Sequence, residues 1–318
     1  MKRQGFTLVE LLVVIAIIAL LMGILMPALA RVRMLAFRLI CGTNLSGLGK
    51  AMMLYANDYD DELPKAGARS NTWVAALPDW KGGATAQVVG GTRTLAYGLT
   101  GTPEPTNGRV TLSASWYLLV KHAECTPKMF VCKGESETRV ADLRPSPPAS
   151  PDIQSYWDFS SGATGQEVWR FCSYAYHHPL DAWALTTSSE AGMAVAADRS
   201  PWYQGAKIDA DRFNNPATGF KPDLTGYTGA GTADQAKRGN SDAHQTDGQN
   251  VLYMDSHVEF EKRCFVGLEN DNIYTKWTVT NPPEKVKGLL PSPTQTTLTD
   301  KRDSFLINDF AGVGGGGR

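Results

Sequence analysis

Inside the apolar run that opens this 318-residue chain, the only ionisable side chain is Glu10. A carboxylate at the centre of a membrane helix costs roughly 2.5–3.5 kcal/mol, less near an end, so it reaches the interface or finds a partner. A second concentration of reactive types lies towards the C-terminus, where His244, Asp247, Asp255 and His257 can be joined by Asp198. These types suit a mixed oxygen and nitrogen metal site. Asp255, however, is a common turn residue, and His257 alternates onto a strand face turned away from the core. Turn and capping hydrogen bonds are therefore their expected work, with no metal and no other cofactor. Five cysteines are present, Cys41, Cys125, Cys132, Cys172 and Cys264, and no C-x-x-C. The odd number and the spacing argue against a zinc knuckle or a thioredoxin-type site. Cys125 with Cys132 is the easiest local pair, but spacing does not fix connectivity, and buried thiols are an equal alternative. No GxSxG, HExxH or Walker pattern occurs, and enzyme activity is not expected.

The elements that must position these residues begin with residues 6–30. They are apolar except for Thr7, Glu10, Gly23 and Pro27, and follow a basic head of Lys2 and Arg3. At ~1.5 Å per residue, 25 helical residues reach about 37 Å, enough to cross a hydrocarbon core of ~30 Å. A cleaved secretory signal would be shorter and end in a small-residue site, for which Ala28-Leu29-Ala30 is the nearest candidate. A plain single-pass anchor is the other alternative. The helix should continue over Met34–Tyr59, because Leu45, Leu48, Met52, Tyr55 and Tyr59 recur on a 3.6-residue period. Gly42, Gly47 and Gly49 weaken it and invite a kink. Asp60-Asp61-Glu62-Leu63-Pro64 should stop it.

Further on, 86–89 and 94–97 read as a hairpin around Gly90-Gly91, 114–122 as a short helix, and 129–132 as a strand. Residues 144–151, RPSPPASP, read as a proline-rich surface loop. Residues 171–176 and 191–197 read as buried strands, and 200–240 as an excursion over the sheet. The clearest β signal is 250–262. A two-residue turn at Asp255-Ser256 would pair Tyr253 with Val258 and Val251 with Phe260, placing those four on the core face. From Asn281 on the chain is loop-like and ends glycine-rich. The formal net charge is −1 and there is no basic stripe, so nucleic acid is not an expected partner. With 42% hydrophobic residues the chain can build a real core.

The run Gly5-Phe6-Thr7-Leu8-Val9-Glu10-Leu11-Leu12-Val13 resembles the signal of type IV prepilins and type II secretion pseudopilins. The resemblance implies that a prepilin peptidase cuts between Gly5 and Phe6 and that Phe6 is N-methylated. It also implies that Glu10 neutralises the N-terminal amine of a neighbouring subunit, since a paired charge in lipid is far less costly than a bare one. Pro27 falls where many such proteins carry a proline. Cys41-Gly42-Thr43-Asn44-Leu45, Leu48-Gly49, Tyr55-Ala56-Asn57-Asp58 and Phe130-Val131-Cys132 are similar to a narrower group of large pilin-like proteins of planctomycete-type bacteria. That group carries a C-terminal His-x9-Asp-Gly element. Here ten residues, one more than in that element, separate His244 from Asp255, and Ser256 replaces the glycine.

The expected fold is α+β and pilin-like, with a long N-terminal transmembrane helix packed on a mainly antiparallel sheet enlarged by insertions. The expected divisions are a leader at 1–5, a transmembrane part at 6–30 and the soluble part of the helix at 31–60. A globular domain at 61–266 and a loop-rich tail at 267–318 follow. Arg31, Arg33 and Arg38 balance Lys2 and Arg3, so charge leaves topology open. The resemblance places the C-terminal domain outside the inner membrane. It implies a pseudopilin or pilin-like filament subunit whose partners are prepilin peptidase, other such subunits and the membrane. The alternative is a membrane-anchored binding protein that uses the same export route, with Trp157, Trp169, Trp183 and Trp202 gripping a ligand rather than filling the core.

Overall fold

The computed structural model describes residues 7–67, 72–73, 109–141, 157–159, 168–180, 183–204, 207–208, 237–277, 298 and 300–309. The first element, α1 (Leu8–Asp58), is one uninterrupted helix of 51 residues. At ~1.5 Å per residue it runs about 77 Å. Its start is fixed by a capping box: Thr7 Oγ1 accepts from Glu10 N, and Glu10 Oε2 accepts from Thr7 N at 2.8 Å. Its end is fixed by Asp60 and Asp61, both at positive φ (52° and 61°), a conformation a helix cannot continue through.

Two halves of α1 differ in what they touch. From Leu8 to Leu39 the large apolar side chains are exposed, apart from half-buried Met34 and Phe37. From Cys41 on, one stripe (Cys41, Leu45, Leu48, Met52, Tyr55) is buried. Tyr59 does not extend this stripe as the periodicity suggests. It is the C-cap residue, exposed, and stacks on Tyr55 with ring centroids 4.2 Å apart. The glycines do not interrupt the helix either. A Cβ on Gly49 would lie 2.7 Å from Leu252 Cδ1, so glycine there lets helix and sheet approach closely.

The sheet under α1 has five antiparallel strands in the order β8-β7-β4-β3-β9. They are β3 (Tyr174–His177), β4 (Ala194–Asp198), β7 (Gln249–Tyr253), β8 (Val258–Glu261) and β9 (Leu306–Ile307). Two small pairs stand apart: parallel β1 (Thr72–Trp73) with β2 (Arg109–Val110), and antiparallel β5 (Tyr203–Gln204) with β6 (Lys207–Ile208). β7 lies between β8 and β4 and is buried along its whole length. On the helix side, Leu252 and Tyr176 join Leu45, Leu48 and Met52 in the larger core. On the other side, Val251, Tyr253 and Ala197 pack with Trp202, Ile273 and Tyr274 in a second core. A helix α2 (Leu112–His122) is buried along 112–120 and extends the first core. The architecture is α+β and pilin-like.

Several local expectations are corrected. The hairpin register is one residue off: Leu252 pairs with Val258 and Val251 with Glu259. The loop has three residues rather than two, closed by Tyr253 N donating to His257 O at 3.0 Å, with Ser256 at φ 71°. A three-residue loop ending in a left-handed residue is the usual answer where Asp-Gly is missing. The slip puts Leu252 and Val258 together against α1 and turns Val251 and Tyr253 to the second core. Residues 127–130 form a 3₁₀ turn, not a strand, because Pro127 at its start cannot donate to a ladder. Residues 168–171 are also a 3₁₀ turn, and β3 starts only at Tyr174. The stretch read as loop-like after Asn281 contributes edge strand β9, which pairs with β3. The hairpin expected at 86–97, the loop at 144–151 and the glycine-rich end lie outside the described residues, as does most of 200–240.

Candidate functional site

The N-terminal segment comes first. Gly5 and Phe6 lie outside the described residues. Glu10 is on the first turn of α1, held by Thr7, whose backbone N and Oγ1 both donate to Glu10 Oε2, at 2.8 and 2.7 Å. Glu10 thus has a local structural partner that sequence reasoning missed; the signal that could have found it is the Thr7-x-x-Glu10 spacing of a capping box. Pro27 sits inside α1 and leaves the carbonyl four residues back, on Gly23, without its helical donor. Among the described residues, α1 is the one helix long and apolar enough to cross a membrane, and its apolar window is wholly exposed.

The C-terminal candidates separate into three groups. Asp255 and His257 are half exposed at the hairpin turn. Asp255 Oδ1 accepts from His257 N at 3.1 Å and also contacts His257 Nδ1. This is the turn role expected of them, and it holds the Asp255 carboxyl below its ordinary range. Asp247 instead docks α1: its Oδ2 meets Arg38 Nη2 at 2.5 Å, while the Arg38 guanidinium lies 4.6 Å from the centre of the Phe260 ring. His244 and Asp198 are both buried and face each other, with His244 Nε2 3.1 Å from Asp198 Oδ2. His244 and Asp255 share no partner among the described residues.

His244 and Asp198 come together with two residues that sequence reasoning did not connect to them. Cys41, on α1, and Cys132, after the 3₁₀ turn, form a disulfide with a Cα–Cα distance of 5.5 Å. The local pairing of Cys125 with Cys132 is therefore corrected. Cys125, Cys172 and Cys264 are buried outside the bond, and burial pushes the Cys125 thiol up to about 11. One ligand atom from each of Cys41, Cys132, Asp198 and His244 falls within 4.8 Å of the others, and all four residues are buried. Cys132 Sγ is 3.9 Å from His244 Nε2. Asn250 ties the group to β7, with its backbone N donating to Asp198 Oδ2 at 2.6 Å and its Nδ2 at 3.0 Å. Gly134 lets the chain pass over His244: a Cβ there would lie 2.0 Å from Ala243 O.

The legible signal was the set of short elements read separately, Cys41-x-x-Asn44, Phe130-x-Cys132 and His244. Their convergence needed the fold. Asn44 joins it at the edge, donating to Tyr174 Oη at 3.2 Å. Next to Asp198, Arg199 is buried and pairs with Glu135 at 3.0 Å. Burial raises the Glu135 carboxyl and the Arg199 charge opposes that rise. Of the four tryptophans considered as ligand grips, Trp169 and Trp202 are buried in the protein. Trp157 is half-buried under Lys121, and Trp183 is 39% exposed.

A family model described as the prokaryotic N-terminal methylation motif matches residues 1–26. No curated protein and no solved structure matches the chain. The motif, followed by the long apolar helix, is a prepilin-type signal, and it marks the chain as a prepilin-type substrate of the kind a prepilin peptidase processes. The exposed helix is consistent with a single-pass membrane anchor.

Proposed function

We propose that this chain is a structural subunit, pseudopilin or pilin-like, of a type II secretion or type IV pilus-like filament. The observation that carries the reading is the prepilin-type signal leading into a helix whose first half is apolar and exposed and whose second half is the backbone of a folded domain. An apolar surface of this extent is satisfied by lipid or by equivalent helices of other subunits. In this reading Gly5 and Phe6 form the processing site and the Glu10 carboxylate pairs with a neighbour's amine. The domain lies outside the inner membrane, which the Cys41–Cys132 bond supports, because disulfides persist in oxidising compartments. The role is structural rather than enzymatic.

Intact-mass and N-terminal analysis of the protein from its native membrane tests the processing. The expected start is N-methylated Phe6; a start beyond Ala30 overturns the filament reading, and an unprocessed Met1 leaves a plain anchor. Glu10→Gln then separates the two roles of Glu10. Glutamine serves in a capping box as glutamate does, so the helix start is kept while the charge is lost. Loss of filament assembly with membrane retention is the expected outcome. Normal assembly would show that Glu10 acts only as a cap. If filaments are absent even from the wild type, the anchored binding protein takes first place.

A further inference from the structure

We propose that, once the Cys41–Cys132 bond is reduced, Cys41, Cys132, His244 and Asp198 form a four-ligand site for a zinc-class divalent ion. The two thiolates, one imidazole nitrogen and one carboxylate oxygen are a complete tetrahedral donor set for such an ion. All four ligand atoms already lie within 4.8 Å of one another in a buried position. Tetrahedral ligation at metal–ligand distances of about 2.0–2.3 Å sets ligand atoms roughly 3.3–3.8 Å apart, so the sulfurs separate once their bond is reduced and the more distant pairs close in slightly.

The arrangement is convergent rather than relayed. In a nucleophilic triad the thiol faces one imidazole nitrogen and the carboxylate the other. Here Cys132 Sγ and Asp198 Oδ2 both face His244 Nε2, at 3.9 and 3.1 Å. That places donors around a common centre. A second observation points the same way: Asp198 is wholly buried, and its Oδ1 has no hydrogen-bond partner among the described residues. Orphaned buried carboxylate oxygens are costly, and a bound cation satisfies them. Asn250 holds Asp198 Oδ2 from two donors, as outer-shell groups hold metal ligands. The ligands come from α1, the segment after the 127–130 turn, the end of β4 and the turn before β7, so the ion would clamp the helix to the sheet, where the disulfide ties it only to the segment at Cys132.

Reduction by a trialkylphosphine breaks the S–S bond. The phosphine becomes its oxide, with water supplying the oxygen and the two protons that appear on the thiols. Ion binding then releases both thiol protons, and neutral His244 keeps its remaining proton on Nδ1. The oxidised chain has two ligands fewer. The proposal does not depend on whether the chain polymerises.

The test uses the full-length chain in detergent, with zinc and cobalt as probes. Calorimetric titration with zinc should show one ion per chain after phosphine reduction and no site before it. Cobalt should give thiolate-to-metal charge-transfer absorption and the visible bands of a tetrahedral ion. His244→Ala should weaken zinc by more than the roughly 10–100-fold that losing an outer-shell partner costs. Four results overturn the proposal. One is no uptake by the reduced chain; another is equal uptake by the oxidised chain. A third is a cobalt spectrum without thiolate bands. The last is a reduced chain that loses its near-ultraviolet circular dichroism and does not recover it with zinc. The oxidised-against-reduced comparison needs no variant, so a poorly folding His244→Ala does not decide the matter.

Discussion

Single residues in this protein matter chiefly by what stands within contact distance of them and whether it can move. Gly134 and Gly49 make the contrast. A Cβ at Gly134 would meet the backbone carbonyl of Ala243 at 2.0 Å, and a carbonyl in a 3₁₀ turn cannot step aside. A Cβ at Gly49 would meet only the Leu252 side-chain end at 2.7 Å, which can rotate. Gly134→Ala should therefore cost about 3 kcal/mol, the upper end for overpacking, and displace His244. Gly49→Ala should cost about 1 kcal/mol or less, because the gain in helix propensity over glycine, roughly 1 kcal/mol, offsets part of the crowding. Denaturant unfolding of both variants in detergent checks the order; a reversed order would mean the loop over His244 is softer than its packing indicates. Glu10 shows the same point differently, because its cap and its proposed assembly charge belong to one side chain.

Among the elements, the start of α2 and strand β3 each have a buried titratable group, Asp158 packed against the first and His177 within the second, with opposite pH dependence. The N-terminus of α2 is held by Asp309, whose carboxylate accepts from Leu112 N at 2.9 Å and Ser113 N at 2.6 Å. Asp158 is buried beside it and accepts from Phe159 N at 2.7 Å. Burial, then the nearby Asp309 charge, raises the Asp158 carboxyl from 3.8 to about 8. The unfolded chain gives up that proton at lower pH than the folded chain. This contribution is therefore complete below about pH 4 and is lost as pH rises towards 8. On β3, burial lowers His177 from 6.5 to about 4. Here the unfolded chain takes up the proton first, so stability is complete above pH 6.5 and is lost as pH falls towards 4. Between pH 4 and 6.5 the Asp158 and His177 slopes oppose each other, and His178, which burial lowers to about 3, tips the balance, so unfolding midpoints should fall on the acid flank and, above pH 6.5, on the alkaline one. Asp158→Asn should flatten the alkaline flank and steepen the acid one; an unchanged alkaline flank would show that another group sets it.

For the molecule as a whole, the question is how a helix that leaves the domain is held to it. Leu45, Leu48 and Met52 bury against the sheet, Arg38 pairs with Asp247, and the disulfide closes a loop across 91 residues of sequence. In the chain-entropy account a loop of that length is worth roughly 4–5 kcal/mol, at the top of the observed range. The double variant Cys41→Ala/Cys132→Ala should lower the thermal midpoint of the oxidised protein markedly while leaving membrane retention intact, because the exposed apolar half of α1 is untouched. A midpoint that does not move would mean that packing along Leu45 to Tyr55 suffices to dock the helix.

Residues 7–30 were legible from sequence because their signal is local: a nearly continuous apolar run carrying one carboxylate. The apolar stripe of α1 was legible for the same reason, since a 3.6-residue period survives in one dimension, and the short helix expected at 114–122 was legible as a continuous apolar run. The hairpin existed as expected, but its register did not, because a three-residue loop at Met254-Asp255-Ser256 and a two-residue one differ only in backbone geometry. Burial on both faces of β7 also hid which side was the core. The disulfide and the Cys41–Cys132–His244–Asp198 cluster were beyond sequence altogether. Their residues lie on four segments up to some two hundred positions apart, so no spacing rule connects them. Only the antiparallel closure of β4 against β7, with α1 laid across both, brings them to one point, because that packing fixes where each segment ends.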